Sequence, residues 1–346
     1  MKIENVFRIS VLVLFFNLIV ACSSNPDKLI KKQYYIFGTI VEVLVWHNDE
    51  QVVNNALTDV ENELNGMHSQ WHAWKAGRLH EINKALRIGK TFPVTDEEAQ
   101  FILETKKLSQ LSLGHFNPAI GELIHLWGFH TDDYPITSPP PSDKEINEFL
   151  AHLPSMDDIE IIDNRISSKN PRMWLDYGGV AKGYAIDKAI NILKKHGLIN
   201  AIVNAGGDLH SIGSKGDKKW KVAIRKPNSK DVLAVIKVQG DESIFTSGNY
   251  ERYHEFNGKR YAHIIDPKTG FGVEEIVSAT VITDNGTKAD AAATALIVAG
   301  SQNAAKVARA MGLYQVLLID EDGKCLASEK IIQRLEQTEL KCTTLE

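Results

Sequence analysis

Cysteine is scarce in this chain, and its few cysteines stand apart from other metal-binding residues. The 346 residues include three cysteines, Cys22, Cys325 and Cys342, none of them in a CxxC motif or beside a histidine. Structural zinc sites and redox-active dithiols depend on such spacings. Neither a zinc site nor a thiol-based active site is therefore expected, whereas Cys325 and Cys342 fit a disulfide and a pair of free thiols equally well.

Concentrated basic charge is also lacking. The chain has 39 Lys+Arg against 44 Asp+Glu, a net charge of −5, and no basic run interleaved with aromatic residues. Binding to a nucleic-acid backbone needs a concentrated positive face, so no nucleic-acid partner is expected. With 43% hydrophobic and 24% charged residues, the composition is that of a globular protein long enough to bury a sizeable core.

The apolar run at the N terminus is shorter than the roughly 20 residues of a membrane-spanning helix. Residues 9–20 are predominantly apolar, follow Lys2 and Arg8, and lead into Ala21 and Cys22. A basic start, a short apolar run and a small residue are the order of a secretory signal peptide. The small residue directly before Cys22 resembles the lipobox of bacterial lipoproteins, in which the cysteine is acylated.

We therefore predict a signal peptide over residues 1–21, a lipidated Cys22, a tether over residues 22–33 and a folded domain over residues 34–346. The protein is expected to be exported and anchored by its lipid to a bacterial membrane, on the periplasmic side. A short membrane anchor with an incidental cysteine is the alternative.

Hydrophobic periodicity predicts an α+β fold of mixed sheets with packed helices. Residues 34–45 are rich in β-branched and aromatic side chains and predict a strand, and helical spacing over 52–64 predicts a helix packed on it. A capping-box pattern at Thr95 opens a second helix. In the second half, strands are predicted at 201–203, 220–224, 232–238, 277–282 and 316–319, and helices at 183–196, 288–298 and 301–311. Because several strands are joined by turns, this fold is favoured over a doubly wound parallel sheet.

Prolines cluster in the segment 131–145, TDDYPITSPPPSDKE. Such a cluster predicts a loop, here a subdomain boundary or a mobile flap. Ser142 and Glu145 have the spacing of a capping box for the helix that follows.

Glycine, aspartate, histidine and threonine concentrate in four short segments that are far apart in the sequence. The segments are LDYGGVAKGYAID at 175–187, VNAGGD at 203–208, TSGNY at 246–250 together with HIIDPKTG at 263–270, and KADAAATAL at 288–296. None contains GxGxxG or GxxxxGK[ST], so neither a dinucleotide-binding βαβ unit nor a P-loop is implied. Each segment alone is equally explained as a turn or a packed helix.

The fourth segment carries the residue types of a site for a hard cation. Asp290 and Thr294 are four residues apart and so share one helix face, among alanines that permit close approach. Carboxylate and hydroxyl oxygens suit Mg²⁺ or Ca²⁺ and are poor zinc ligands. The structural alternative is an alanine-packed helix with Asp290 near its N-terminal cap.

Taken together and in this order, the segments strongly resemble the ApbE-like family of FAD:protein FMN transferases. The resemblance covers about residues 34–320 and includes GHFNPAIGELIHLWGF at 114–129. It implies the α+β architecture of that family. It also implies a Mg²⁺-dependent enzyme that splits the pyrophosphate of FAD, releases AMP and joins FMN to a Thr or Ser of an acceptor protein. The implied acceptors are flavin-carrying subunits of membrane redox complexes.

The resemblance assigns roles to individual positions of this chain. Asp176 and Lys182 match contacts to the flavin dinucleotide. The backbone carbonyl of Gly179 and the side chains of Asp290 and Thr294 match the ligands of the metal ion.

His263 matches the base that accepts the proton of the acceptor hydroxyl, and Ile264 beside it matches a contact to FAD. Phe37 stands where the family usually has methionine. His115 and Phe116 occupy further cofactor-binding positions of the family pattern.

Two departures from the family pattern affect the predicted cofactor site. Asn117 replaces the usual aspartate, which keeps a hydrogen-bonding side chain but removes a charge. Gly77 replaces a usual serine, and the aromatic residue preceding it is Trp71 or Trp74. We choose Trp74 as the ring that stacks on the cofactor.

Two other functions fit the same residues. With water in place of the acceptor hydroxyl, the protein is an FAD pyrophosphatase that yields FMN and AMP. A lipoprotein that binds FAD without catalysis is the alternative from another class, and it is favoured by the loss of charge at Asn117.

Overall fold

The computed structural model describes residues 27–238, 240–336 and 339–345. The predicted signal peptide and Cys22 lie outside the described residues. The strands are β1 (Lys28–Ile36), β2 (Thr39–His47), β3 (Phe92–Pro93), β4 (Ile159–Ile162), β5 (Arg165–Ser168), β6 (Ala201–Ala205), β7 (Asp208–Ile212), β8 (Trp220–Arg225), β9 (Val232–Val238), β10 (Glu242–Gly248), β11 (Tyr253–Phe256), β12 (Lys259–Ala262), β13 (Ile276–Thr283), β14 (Val316–Asp320), β15 (Cys325–Ala327), β16 (Leu335–Glu336) and β17 (Cys342–Thr344). The helices are α1 (Glu50–Gln70), α2 (Arg78–Arg87), α3 (Asp96–Leu111), α4 (Gly121–Leu126), α5 (Asp143–Leu150), α6 (Ala181–Lys195), α7 (Gly286–Ala310) and α8 (Glu329–Ile332).

A mixed sheet organises the fold. Within the described residues its strand order is β1-β2-β6-β7-β10-β13-β14-β15-β17, and neighbouring strands are antiparallel except β15 and β17. Smaller sheets are formed by β8, β9 and β16, by β3, β4 and β5, and by β11 and β12. The predicted α+β class is confirmed, since the large sheet is mostly antiparallel, contains the hairpins β1–β2, β6–β7 and β14–β15, and is covered by helices on one face.

The two faces of the large sheet bury different cores. On one face, α1, α6 and α7 pack over Val41, Val43, Val203 and Val281, and the buried alanines of α7 let that helix lie close to β10 and β13. On the other face, Ile202, Leu209 and Ile282 pack against the sheet of β8 and β9. Since side chains alternate along a strand, Asp208 and His210 of β7 lie on the helix face.

The predicted strand 34–45 is wrong in one respect, because it folds back on itself. A two-residue turn at Phe37 and Gly38, both in the left-handed region with φ of 58° and 69°, joins β1 to β2. The strands pair from Ile36 and Thr39 outward. Left-handed conformations at both central positions match the right-handed twist of a hairpin, and the apolar run conceals this turn from a periodicity argument.

The predicted tether over 22–33 is also too long at its C-terminal end. Strand β1 begins at Lys28, and Lys28 to Gln33 pair with His47 to Glu42 of β2. Four of the six residues in this part of β1 are lysine or glutamine, and most of the six are exposed, which is typical of an edge strand protected by charge. Its backbone hydrogen bonds to β2, not burial, keep it in the sheet.

Both predicted capping boxes are confirmed, at Thr95 with Glu98 and at Ser142 with Glu145. The two predicted helices at 288–298 and 301–311 form one element, α7, which is kinked at Gly300. Gly300 has φ of 66°, a left-handed conformation that glycine adopts without steric cost. This kink explains why the helical periodicity is interrupted there.

The proline-rich segment is held to the rest of the fold at its centre. Ile136 is buried and forms an isolated parallel bridge with His254 of β11. It packs in a small core with Trp127 and Phe149. A subdomain boundary or flap in this segment stays a prediction.

A disulfide joins Cys325 of β15 to Cys342 of β17, 17 residues apart, and so decides between the alternatives left open by the sequence. Closing a loop of about this length restricts the unfolded chain and stabilises the fold by about 3 kcal/mol. We expect the double variant Cys325→Ser/Cys342→Ser to lose about 2–3 kcal/mol of unfolding free energy, measured by urea denaturation. Equal stability with and without a reducing agent in the unmodified protein would contradict this expectation.

Among the residues that the structure describes, no helix is both long enough and apolar enough to cross a membrane.

Candidate active site

The first turn of α6 places a lysine over a buried carboxylate. Helix α6 follows the turn Gly178–Val180, and the side chain of Val180 at its N-terminal cap forms no hydrogen bond. The N–H of Ala181 donates to the Tyr177 carbonyl and that of Gly183 to Asp290, while the positive dipole end of the helix remains available to an anion. Lys182 in this turn forms an ion pair with Asp208, whose other oxygen accepts a hydrogen bond from the backbone N–H of Thr246 at 2.9 Å. Burial alone lowers the pKa of Lys182, but the carboxylates of Asp208 and Asp290 raise it above its ordinary value. Lys182 is therefore cationic.

The predicted metal ligands converge beside this lysine. Asp290 is buried on α7, and its Oδ2 accepts a hydrogen bond from the backbone N–H of Gly183 at 2.9 Å. Thr294 lies one turn further along, and its Oγ1 is 3.1 Å from the point where a Cβ on Gly179 would lie. Ser247 of β10 adds a hydroxyl 3.4 Å from the Thr294 hydroxyl. The structure thus brings together the three positions predicted to hold the metal.

Helices α6 and α7 touch through glycine backbones at this point. A Cβ on Gly183 would lie 2.3 Å from the carbonyl oxygen of Gly286 and 2.9 Å from the Cβ of Asp290. Contacts this short are excluded for any larger residue, so the two helix N-termini approach each other only because Gly183 has no side chain. Gly179, Gly183 and Asp187 lie against Thr294, Asp290 and Gly286 in turn, so the two helices run antiparallel. The positive dipole end that faces the Lys182 region is therefore that of α6, and it favours an anion there.

The oxygen ligands fit a hard divalent cation. Burial raises the pKa of Asp290 to about 7, Lys182 opposes this shift and Asp208 adds to it. A carboxylate that is costly to ionise in isolation is stabilised in its charged form by a bound cation. Among the described residues there is no cluster of three His, Cys, Asp or Glu side chains able to hold a metal. A site here would thus combine one carboxylate with neutral oxygens, which suits Mg²⁺ with retained waters.

His263 has the protonation state and tautomer of a general base. It follows β12, and its Nδ1 lies 2.9 Å from the carbonyl oxygen of Arg252. Because a carbonyl can only accept a hydrogen bond, Nδ1 carries the proton and Nε2 keeps its lone pair. Burial lowers the pKa of His263 to about 4, and the charges of Arg252 and Lys182 act in the same direction. Ile264, the next residue, is buried in the main core and fixes the position of this segment.

Asp176 is held by a histidine that the sequence did not indicate. Oδ1 of Asp176 accepts the backbone N–H of Gly178 at 2.8 Å, and Oδ2 is 2.8 Å from Nε2 of His130. The His130 ring stacks on Trp74, with centroids 4.9 Å apart and planes 15° apart. Trp71, the alternative to Trp74, packs in an aromatic cluster with Phe101, Tyr177 and Tyr184. This favours Trp74 as the tryptophan nearer the predicted cofactor contact at Asp176.

The remaining predicted cofactor residues have different surroundings. Phe116 is buried, and its ring lies 3.6 Å from the Cβ position of Gly179. His115 is also buried, and its Nδ1 has no hydrogen-bond partner within the described part of the chain. The amide of Asn117 is engaged by backbone groups, donating to Pro154 and accepting from Ala119.

Phe37 occupies the hairpin turn and meets the edge of the His68 ring at 5.7 Å. The cofactor contacts of Phe37, Phe116, His115 and Asn117 stay predictions.

Three residues of the site were not singled out from the sequence, namely Asp208, His130 and Ser247. Asp208 ends the VNAGGD segment and Ser247 lies in TSGNY, so both motifs carried a signal. His130 directly follows the matched segment 114–129, and only the fold brings it to Asp176, 46 residues away.

A cavity of about 620 Å³ lies apart from this site, between α1, α3 and α6. Its lining residues, Asp59, Asn62, Glu63, Gly66, Met67, Gln70, Trp71, Arg78, Thr95, Glu97, Glu98, Tyr184 and Ile192, include none of the predicted catalytic, metal or cofactor residues.

Breaking the ion pair beneath the site is expected to destabilise the protein. Lys182→Met leaves the carboxylate of Asp208 buried at 5% side-chain exposure without its partner. We expect a loss of roughly 2–3 kcal/mol, at the low end for a buried pair because the lysine is one-third exposed. The double variant Lys182→Met/Asp208→Asn removes the orphaned charge as well. Urea denaturation should show that it recovers more than half of the loss, and a double variant less stable than Lys182→Met would refute this explanation.

Comparison with known proteins identifies the family. Residues 37–318 match the model of the ApbE family. The FAD:protein FMN transferase of Rhodobacter capsulatus is 38% identical over 328 residues, which cover 95% of this chain and 62% of that protein. The FAD:protein FMN transferase of Klebsiella pneumoniae is 30% identical over 290 residues, 82% of each chain. The chain therefore spans less than two thirds of the length of the first of these relatives.

Solved structures agree with this relationship. The crystal structure of the ApbE protein of Thermotoga maritima superposes with a TM-score of 0.80 at 29% sequence identity, covering 90% of this chain and all of that one. The family match over most of the chain, the relatives and the shared architecture lead to one conclusion: this chain belongs to the ApbE family.

Proposed function

We propose that this protein is an FAD:protein FMN transferase that uses Mg²⁺ to transfer FMN from FAD to a Thr or Ser hydroxyl of an acceptor flavoprotein, with release of AMP. The observation that carries the proposal is the set of groups around the N-terminus of α6, namely a cationic lysine, the Asp290/Thr294 pair of the neighbouring helix and a neutral histidine. Phosphoryl transfer requires a positioned nucleophile and neutralisation of phosphate charge. These residue types supply both.

In this proposal the pyrophosphate of FAD lies at the N-terminus of α6, whose helix dipole favours negative charge. Lys182, held in place by Asp208, neutralises phosphate oxygens. The carbonyl of Gly179 and the side chains of Asp290 and Thr294 would hold the Mg²⁺, which would supply Lewis-acid stabilisation of phosphate charge.

His263 accepts the proton of the acceptor hydroxyl through Nε2. The hydroxyl oxygen then attacks the phosphorus on the FMN side, the bond from that phosphorus to the bridging oxygen breaks, and AMP leaves with that oxygen. The product is FMN joined to the acceptor by a phosphoester. His263 is suited to this role because it is neutral near pH 7 and its Nδ1–H is fixed by the Arg252 carbonyl.

The cofactor-binding part of the proposal rests on Asp176 and on the residues around it. Asp176 is ordered by His130 and by its own turn, and Trp74 offers a flat ring beside it. The flavin or adenine ring of FAD would gain stacking energy there.

An acceptor incubated with the protein, FAD and Mg²⁺ tests the whole proposal. The acceptor is a flavoprotein subunit of a membrane redox complex with a known acceptor threonine, and its Thr→Val variant is the matched control. Intact-mass spectrometry should show a gain of one FMN on the threonine form only, with AMP detected by chromatography. AMP and free FMN without labelling of the competent acceptor would instead support a pyrophosphatase, and FAD returned unchanged would support a carrier.

We also propose that the protein is exported and anchored through lipid on Cys22 to a bacterial membrane, facing the periplasm. The disulfide between Cys325 and Cys342 supports this location, because such bonds persist in oxidising compartments. In a bacterial host, Cys22→Ser is expected to move the protein out of the membrane fraction. Cys325→Ser serves as the control and should stay in that fraction, and an unchanged distribution of Cys22→Ser would contradict the lipid anchor.

A further inference from the structure

His210 is a buried histidine outside the predicted site, and both of its ring nitrogens meet carboxylates. Its side chain is 5% exposed on β7. Nδ1 lies 2.8 Å from Oδ1 of Asp187, and Nε2 contacts Oδ1 of Asp241. Because ionised carboxylates only accept hydrogen bonds, both bonds form at once only when the ring carries two protons. Burial lowers the pKa of His210, but the two carboxylates outweigh it and raise the pKa above its ordinary value.

Asp187 connects this histidine to the start of α7. Its Oδ1 accepts the backbone N–H of Gly286 at 2.9 Å, and its Oδ2 accepts the backbone N–H of Thr287 at 2.8 Å and the Thr287 hydroxyl at 3.0 Å. These amides have no partner within α7 itself. Asp187 is therefore an N-terminal cap supplied to α7 by another helix, α6, and His210 fixes the orientation of that cap.

The capped end of α7 leads directly into the metal-binding residues. Asp290 lies one turn beyond Gly286 and accepts the backbone N–H of Gly183, one turn before Asp187 on α6. The two helices therefore meet at a pair of contacts, one at the Asp187 cap and one at Asp290. If the Asp187 cap loosened, the contact at Asp290 alone would hold the position of α7 along α6.

We propose that His210, in its doubly protonated form, is a positioning residue that acts through Asp187 to hold the N-terminus of α7, and with it Asp290 and Thr294, in place. The inference rests on the proposed function only for the role of Asp290 and Thr294. Neutral imidazole has a single N–H, so loss of the proton must release either Asp187 or Asp241. Release of Asp187 weakens the cap directly, and release of Asp241 frees the other side of the ring, so that the orientation of the cap is less firmly fixed in either case.

The charged groups that face His210 within the described part of the chain are few. Asp187 and Lys194 come from α6, Asp241 precedes β10, and Lys194 pairs with Asp241 at 2.6 Å. The register partners of His210 on the adjacent strands, Val203 and Ser243, are uncharged. Lys194 favours the ionised form of Asp241, and so supports the proton on His210 indirectly.

The direction of the pH effect follows from the raised pKa. The stabilisation due to the His210 proton is fully present below about pH 6.5, the ordinary pKa of histidine, and is lost as the pH rises through the higher pKa of the folded protein. Order at the start of α7 should therefore decrease at alkaline pH.

The experiment combines an NMR titration of His210 with amide hydrogen exchange at Gly286 and Thr287 in the protein without metal. The variants are His210→Gln, which stays neutral at every pH, and Asp241→Asn, a surface change that leaves the fold and the histidine intact. His196→Gln is the matched control, because His196 also pairs with an aspartate, Asp59, at the end of α6 but lies away from the start of α7.

We expect His210 to titrate above pH 6.5 and at a lower pH in Asp241→Asn. Protection of the two amides should fall about fivefold or more as wild-type His210 deprotonates. It should be low and independent of pH in His210→Gln, and unchanged in His196→Gln. A His210 midpoint at or below 6.5, or full protection in His210→Gln, would overturn the proposal.

A kinetic measurement extends the test to the proposed reaction. His210→Gln should raise the Mg²⁺ concentration needed for half-maximal FMN transfer about fivefold or more, with a rate at saturating Mg²⁺ close to that of the wild type. A role in overall folding alone would lower the maximal rate and leave the Mg²⁺ requirement unchanged. Absence of transfer by the wild type would refute the proposed function, while the NMR and exchange results would still decide the role of His210.

Discussion

Asp290→Asn is expected to lower the rate of AMP release from FAD by on the order of 10³-fold. A metal ion contributes several kcal/mol to stabilising charge in phosphoryl transfer, at about 1.4 kcal/mol for each factor of ten. The asparagine side chain in this variant keeps the shape of the aspartate and an acceptor for the Gly183 N–H, but the substitution removes the only carboxylate of the proposed ligand set. Chromatography of AMP at saturating FAD and increasing Mg²⁺ measures the effect.

The same substitution should leave folding intact. Asp290 is 4% exposed, and a buried carboxylate near Asp208 and Asp187 costs free energy that a neutral amide does not. The variant without metal is therefore expected to be at least as stable as the wild type in urea denaturation. Lost activity in a protein of undiminished stability separates a role in chemistry from one in folding.

Asp284→Asn is the matched control, because Asp284 precedes the same helix but is exposed and accepts a hydrogen bond from the hydroxyl of its neighbour Thr283. It should retain wild-type activity. If Asp290→Asn released AMP within about threefold of the wild-type rate, the assignment of Asp290 as a metal ligand would be wrong.

Local sequence patterns were sufficient where one physical signal decides the structure. The capping boxes at Thr95 and Ser142 predicted helix starts because each pairs a hydroxyl with a glutamate three residues later. The shared face of Asp290 and Thr294 was predictable in the same way, since residues four apart lie on one side of a helix. That the pair holds a metal ion stays a prediction.

Patterns failed where two structures are compatible with one hydrophobic run. Residues 34–45 are apolar enough for one long strand, and the turn at Phe37 is visible only in its left-handed backbone. The pairing of the lysine-rich segment Lys28 to Gln33 with β2 likewise depends on the backbone of a neighbouring strand, for which the side chains of β1 give no signal.

Contacts between distant segments were the other limit. Lys182 was predicted as a cofactor contact, but its partner Asp208 is brought to it by the adjacency of α6 and β7. His130 and His210 reach Asp176 and Asp187 in the same way. Since a single sequence gives no information on which distant residues meet, the motifs could indicate a candidate site, and only the fold shows the ion pairs around it.

The resulting arrangement divides the site between two rigid parts. Lys182 and Asp290 lie on helices clamped by the Gly183–Gly286 contact, whereas His263 lies after β12 and is fixed by the backbone carbonyl of Arg252. Changes to the helices should thus affect charge neutralisation of the pyrophosphate, and changes at His263 should affect the acceptor alone. The effects of Asp290→Asn and His263→Asn, the two largest that we expect, can therefore be distinguished.

His263→Asn is expected to reduce transfer of FMN to the acceptor by about 10²–10⁴-fold, the usual contribution of a general base. The asparagine amide nitrogen can take the place of Nδ1 and donate to the Arg252 carbonyl, so the loop keeps its hydrogen bond while the basic Nε2 is lost. Affinity for FAD, measured by fluorescence titration, should change by less than about twofold, because His263 contributes no charge at neutral pH.

The pH dependence provides an independent check on His263. Its pKa of about 4 in the folded protein lies below the ordinary value of 6.5. The unfolded chain therefore binds the proton more readily between these values, and the free energy of unfolding should fall as the pH drops from about 6.5 toward 4. His263→Asn should show a smaller fall in the free energy of unfolding than the wild type over this range.

Transfer of FMN by the wild type should not decline from protonation of His263 until the pH approaches 4. Because His263→Ala leaves space for a small base, added imidazole should restore part of the transfer rate of that variant. Full activity of His263→Asn and His263→Ala between about pH 4 and 6.5 would show that another group accepts the proton.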